Sequence, residues 1–299
     1  MPDRQIVLFH YGEFQPLWHA DNVLQCGPNI VEDGKGINIP IPSVDVIKSA
    51  LMSKGFRTNS ILLHYTDPFI LRSAPLIGLA DWIGPKFLFC GDLHHGNDPI
   101  KVLVNYHLEE FHDAVLLTFN PSLLDKVRKY IKVPVNSFPP SFFRYPKRSF
   151  NSSPILRLIH VGAIGPYHQN RREIVELIIQ RNRIPFFQAI TETPEEAADL
   201  YNQNALVLNI PLNNDLNHRF FEVMAAGSRQ IIFGSQELLG DNLYLAERPD
   251  IFWVNSLDQL EDLVIKLLDK PSIFDKPVEP PPTYELEILL KNCCNYFNC

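Results

Sequence analysis

The run Leu208-Asn209-Ile210-Pro211-Leu212-Asn213-Asn214-Asp215-Leu216-Asn217-His218-Arg219-Phe220-Phe221-Glu222-Val223-Met224-Ala225-Ala226-Gly227 decides how this chain is read. An apolar strand over 205–210 enters a polar loop, and the loop enters a short helix over 217–226 with Gly227 at its C-cap. In open α/β sheets ligands bind outside the carboxyl ends of the strands, so this loop marks a site. At helical spacing Phe221, Met224 and Ala225 share one face and are expected against the sheet, while Arg219, Glu222 and Ala226 line another. A helix start with an arginine beside it suits an anionic phosphate. A carboxylate one turn later can accept hydrogen bonds from two sugar hydroxyls.

Outward from this run, strand and helix alternate along the chain. The first block has strands over 6–9, 61–63, 87–90, 114–119 and 133–135, with helices over 43–53 (Ser43 as N-cap), 99–111 and 121–131. The pattern restarts with a strand over 156–161 that ends in Gly162. It continues as helix 171–181, strand 186–187, helix 194–201, strand 205–210, helix 217–226, strands 231–233 and 251–254, and helix 257–268. The seam at 138–154 is rich in proline, serine and aromatic residues. Five prolines fall within 271–282, and 284–297 can form one last helix. Such alternation predicts parallel sheets covered on both faces, hence two Rossmann-like domains at 1–150 and 151–270, with 271–299 as a connector and final helix.

Composition narrows the classes of function. The 299 residues are 45% hydrophobic, enough for two cores. Lys and Arg number 27 against 34 Asp and Glu, a net charge of -7 that disfavours a nucleic-acid partner. No apolar run approaches the ~20 residues of a membrane-spanning helix, and the first residues lack a signal-peptide profile. The five cysteines (Cys26, Cys90, Cys293, Cys294 and Cys299) are odd in number and irregular in spacing, which predicts reduced thiols in a cytoplasmic protein. Neither zinc-ligand spacing nor a G-x-G-x-x-G after any strand is found, so a metal and a dinucleotide cofactor are not expected.

The segment Phe221-Glu222-Val223-Met224-Ala225-Ala226-Gly227 resembles the E-A-M-A-x-G signature of retaining GT-B-fold glycosyltransferases. In that family two glutamates eight positions apart touch the nucleotide sugar. Glu222 matches the second, and Asn214 stands where the first would be. The form Asn217-His218-Arg219-Phe220-Phe221-Glu222 is similar to the Asn-x-Arg-x-Phe-Glu pattern of the spore-maturation-type, family-4-like subgroup. A second stretch, Leu158-Ile159-His160-Val161-Gly162 leading to Gly165 and Arg171-Arg172-Glu173, resembles the element that opens that subgroup's C-terminal domain. The resemblance implies two domains facing a central cleft, a last helix crossing back to the first domain, and a metal-independent hexosyltransferase-like reaction. It also implies donor contacts from Gly162, Arg171, Arg172, Asn217, Arg219 and Glu222. An ordinary strand-loop-helix joint with surface arginines accounts for the second stretch equally well.

In the first block, Phe89-Cys90-Gly91-Asp92-Leu93-His94-His95-Gly96 follows a strand. Asp92, His94 and His95 are the candidates for positioning an acceptor hydroxyl or moving its proton, because imidazole titrates near neutral pH. A partly solvated polar loop is the alternative. Gly12 and Glu13 are weaker candidates on the same argument. Residues 126–150 carry seven basic side chains and no acid, with aromatics between them. That stretch reads first as a solvated face and linker, and second as a weak membrane-surface contact. The function expected is transfer of a sugar from a nucleotide-diphosphate sugar to an unknown glycan, lipid or protein acceptor. The alternatives are a non-catalytic nucleotide- or glycan-binding protein on the same scaffold and a GT-B-type nucleotide-sugar epimerase.

Overall fold

The computed structural model describes residues 5–12, 23–32, 34, 36–93, 96–118, 121–137, 145–165, 168–212, 216–239 and 245–280. They form two units, divided near residue 140. Each is built on its own parallel sheet. The expected last helix over 284–297 and its three cysteines lie outside the described residues.

The first unit contains β1 (Ile6–Phe9), β2 (Val23–Gly27), β3 (Gly36–Asn38), α1 (Val44–Ser53), β4 (Ile61–Thr66), α2 (Pro68–Ser73), β5 (Lys86–Cys90), α3 (Pro99–Glu110), β6 (Ala114–Leu117), α4 (Leu124–Arg128) and β7 (Val135–Ser137). Its strand order is β3-β2-β1-β4-β5-β6-β7. Sequence reading finds β1, β4, β5 and β6, sets β7 two residues early at 133–135, and misses β2, β3 and α2. The run Val23-Leu24-Gln25-Cys26-Gly27 interrupts its apolar residues with a glutamine, and Gly36-Ile37-Asn38 is too short to show a period. Ser43 stands at the N-cap of α1, but its side chain makes no capping bond. The helix expected over 121–131 is a 3-10 turn followed by the single turn and a half of α4.

The second unit contains β8 (Ile155–Val161), α5 (Gln169–Arg181), β9 (Phe186–Ala189), α6 (Pro194–Gln203), β10 (Asn204–Asn209), α7 (His218–Ala225), β11 (Arg229–Phe233), β12 (Ile251–Val254) and α8 (Leu257–Leu268). Its order is β12-β11-β10-β8-β9, all parallel. Alternate residues of β8 face opposite layers, as strand geometry demands. Leu158 packs with α5 and α8 through Ile174, Val175, Ile178, Leu260 and Val264. Ile159 and Val161 pack with α6 and α7 through Ala197, Ala198, Tyr201, Val223 and Ala226. The seam residues are bound to this unit: Arg148 pairs with Asp199, and Asn202 donates to the carbonyls of Ser149 and Ala226.

One property of the first core follows from its composition. His64 on β4, His107 on α3 and His112 after α3 are all buried, with the His64–His112 and His107–His112 ring centroids 6.3 and 5.9 Å apart. The Tyr106 hydroxyl lies 3.0 Å from His64 Nδ1 and donates to the Leu76 carbonyl. Burial pushes the His64 imidazole down to about 3. Burial, then His64, His107 and Lys86, holds His112 well below its usual value, and burial lowers His107. In the unfolded chain these rings titrate near 6.5. Above that pH neither state carries their protons; below it only the unfolded state takes them up, so stability falls as pH drops. The free energy of unfolding from urea titration should therefore decline between pH 7 and pH 5, by up to about 1.4 kcal/mol per pH unit for each fully buried imidazole, and the urea midpoint with it. His112→Phe should flatten the decline. A midpoint indifferent to pH over this range would contradict the account.

Candidate functional site

In the second unit the strand order turns back between β8 and β10. The chain leaves β8 for β9 at one edge and leaves β10 for β11 in the other direction. The helices that follow these two strands consequently lie on opposite faces, α5 with α8 and α7 with α6. The loops diverge at the carboxyl end of the sheet and leave a crevice at the switch point, the place where this topology binds ligands. Gly162 directly follows β8 and Asn217 opens α7, so both expected motifs arrive at the same crevice.

The entry into α7 is tied to the end of β10. Asn209 and Asn217 exchange side-chain amide bonds, Asn209 Nδ2 to Asn217 Oδ1 at 3.1 Å and Asn217 Nδ2 to Asn209 Oδ1 at 3.0 Å. Asn217 Oδ1 also accepts from the Phe220 amide and so caps the helix. Phe220, Phe221, Val223 and Met224 are buried along the helix. Behind Phe221 lies the Tyr145 ring, whose hydroxyl is 2.6 Å from His218 Nδ1. At the other end Gly227 takes φ +73°, its amide bonds Met224 O, and Ser228 N bonds Val223 O. This is a Schellman stop, as the glycine in the sequence predicts. With both ends fixed, the Arg219/Glu222 face has one orientation.

Arg219 reaches back across the crevice to β8. A Cβ on residue 162, whose φ is +134°, would overlap Arg219 Nη2. The guanidinium therefore lies where only glycine leaves room. Arg219 Nη1 donates to His160 Nε2 at 3.1 Å. Its Nε–H is buried without an acceptor among the described residues. Glu222 Oε2 accepts from the Tyr201 hydroxyl at 3.2 Å. Burial raises the Glu222 carboxyl above its ordinary value, with Arg219 and the Tyr201 bond acting the other way.

The two arginines in the first turn of α5 behave differently. Arg171 is buried, and its Nη1 and Nη2 donate to the carbonyls of Ala163 and Ile210. It thereby braces the loop after β8 against the loop after β10. Arg172 is half-exposed and 3.9 Å from Glu176 on its own helix. Asn213, Asn214 and Asp215 lie outside the described residues.

The first unit reverses its order between β1 and β4. Asp92 follows β5, one strand from that switch point, and is half-buried. Burial first, then Asp67 and Asp92, raises the Cys90 thiol well above its usual range, so this cysteine is an inert core residue. His94, His95 and Glu13 lie outside the described residues. No group of three metal-ligating side chains occurs among the described residues.

Sequence reading misses His160, Gln188, Tyr201 and Asn209, the partners that hold the site. A lone histidine or glutamine inside a strand carries no periodic signal. The strand register that sets His160 opposite Gln188 exists only once the sheet is formed.

The chain matches no protein-family model and no curated protein. It is similar to several solved structures. TarM, known from Staphylococcus aureus, shares 12% identity at a TM-score of 0.55 over 86% of this chain and 58% of TarM, so the chain spans under three-fifths of that protein. An alpha-glucosyltransferase solved with UDP and a 13-mer DNA containing an HMU base shares 12% at 0.54, over 99% of this chain and 100% of that one. Sucrose-phosphate synthase from Thermosynechococcus elongatus shares 11% at 0.53, over 91% and 92%. The fold is that of GT-B glycosyltransferases, an α/β architecture of two Rossmann-like units.

Proposed function

We propose that this protein is a glycosyltransferase that takes a sugar from a nucleoside-diphosphate donor, with UDP as the nucleotide to test first. The observation that carries the reading is the meeting of Gly162, Asn217, Arg219 and Glu222 at the β8/β10 switch point. A bare Cα and a guanidinium beside two helix N-termini suit a diphosphate, and the Glu222 carboxylate suits sugar hydroxyls. UDP is present in the solved structures of two of the similar proteins. The Asn217-x-Arg219-x-Phe221-Glu222 pattern supports placement in the spore-maturation-type, family-4-like subgroup.

In this reading the second domain, 151–270, holds the donor and the first, 1–150, the acceptor. The bond between the anomeric carbon and the leaving phosphate oxygen breaks as an acceptor hydroxyl oxygen bonds that carbon. Arg219 and the helix N-termini offset the charge left on the diphosphate, so no metal is required. Asp92, His94 and His95 are assigned to orienting or deprotonating the acceptor hydroxyl. Arg171 braces the cradle, and Arg172 is the more accessible of the pair for a phosphate. A cytoplasmic setting is part of this reading, and the free, buried thiols of Cys26 and Cys90 support it; no helix among the described residues is long and apolar enough to cross a membrane.

A panel of radiolabelled nucleotide sugars, with and without EDTA, tests the reaction class. Transfer or slow hydrolysis releasing nucleoside diphosphate, unaffected by EDTA, is expected. Binding without turnover would favour a non-catalytic role, and an epimerised donor would favour an epimerase. Glu222→Gln should weaken donor binding by about tenfold, roughly one lost charge-assisted hydrogen bond. Its melting temperature should barely move, because glutamine still accepts from Tyr201 and relieves a buried charge. A sharp fall in melting temperature would instead make Glu222 a structural partner of Arg219.

A further inference from the structure

The ring proton of His160, the neighbour of Arg219, can be placed from hydrogen-bonding rules. His160 on β8 and Gln188 on β9 are paired across the two strands. Gln188 Nε2 lies 2.9 Å from Gly162 O and 3.0 Å from Ala189 O. Carbonyls only accept, so the amide nitrogen of Gln188 must face them and its Oε1 must face the histidine. His160 Nδ1, 2.6 Å from Oε1, therefore carries the ring proton. A neutral imidazole has one N–H, which leaves Nε2 as a lone pair, and Arg219 Nη1 points at it. Protonating the ring would set a second donor and a second positive charge against the guanidinium. Burial and the neighbouring Arg219 keep that from happening, with the His160 imidazole held down to about 3.

We infer that His160, oriented by Gln188, is the positioning residue that aims Arg219 at the diphosphate of the donor; this rests on the donor-site reading above. Two features make a histidine suited to the task. It is a neutral acceptor, so it anchors the guanidinium without cancelling the charge meant for the ligand. It also works beside the Tyr201 hydroxyl, which bonds Arg219 and donates to Glu222 one turn along the same helix face, so that His160 sets the direction of Nη1. The other Nη lies against Gly162, where a Cβ would overlap it, so both ends of the guanidinium have a fixed neighbour. His160 touches no substrate atom in this account; it acts through Arg219.

The test compares His160→Asn with His160→Gln in the full chain. Asparagine can still donate to Gln188 from the position of Nδ1 but offers Arg219 no acceptor. Glutamine can place its Oε1 where Nε2 lies. UDP affinity is measured by titration calorimetry, the ligand-free Arg219 Nη–H signals by NMR, and stability by thermal melting. His160→Asn should weaken UDP binding by about tenfold, the loss of one hydrogen bond to a charged group, and should average the Nη signals. His160→Gln should recover most of both, whatever its melting temperature. In an Arg219→Ala background His160→Asn should cost nothing further. The inference is overturned if UDP binds the Asn variant as tightly as the native protein, if Asn and Gln weaken it equally in step with melting temperature, or if the effect persists without Arg219. If the native protein binds no UDP while the Nη signals still depend on His160 as described, the positioning holds and the donor-site reading fails.

Discussion

Arg219 can lie across the end of β8 only because residue 162 has no side chain. Much of the second unit serves that contact. The Asn209–Asn217 amide pair fixes where α7 begins, and the Gly227 stop fixes where it ends. Phe220, Phe221 and Met224 bury the opposite side and prevent rotation about the helix axis. Arg171 holds the two loops at one spacing by bonding a carbonyl from each. Take away any of these and the guanidinium would still be in the crevice, but without a defined direction. An electrostatic site is effective to the extent that its charges are already oriented before the ligand arrives.

Among the buried polar residues of the second unit, His160 belongs to this arrangement, with Gln188 as its partner. A buried histidine whose one proton is committed to Gln188 is costly to build and useful only for the lone pair it presents on the other side. The first core also buries imidazoles, yet the rings of His107 and His112 stack on one another without a comparable hydrogen-bonded chain among the described residues. The same residue type thus produces a directed contact in one unit and acid sensitivity in the other. The difference lies in the neighbours.

The fold was legible in the sequence where periodicity was strong. The apolar blocks that became β8, β10, β11 and β12 and the amphipathic α5, α6, α7 and α8 each show their own period, and Gly227 announces the end of α7. β2, β3 and α2 were not legible, since a three-residue edge strand and a six-residue helix lie below the length at which a period can be counted. The site was half legible. Arg219 and Glu222 follow from spacing on a helix behind a strand, because one continuous stretch encodes them. Their meeting with Gly162 and His160 depends on β10 lying beside β8, a pairing between residues some fifty positions apart that no local pattern contains. Arg171 shows what spacing cannot carry: a helix-opening arginine has the look of a phosphate ligand, while in the fold its Nη groups donate to the Ala163 and Ile210 carbonyls.

The central claim is that the β8/β10 switch point of the second unit is the nucleoside-diphosphate cradle. Hydrogen-exchange mass spectrometry with and without saturating UDP tests it most directly. The account predicts slowed exchange in peptides covering 158–165 and 216–226, with peptides over 251–268 unchanged. Unchanged exchange in both of the first two segments, or protection confined to other parts of the chain, would contradict it.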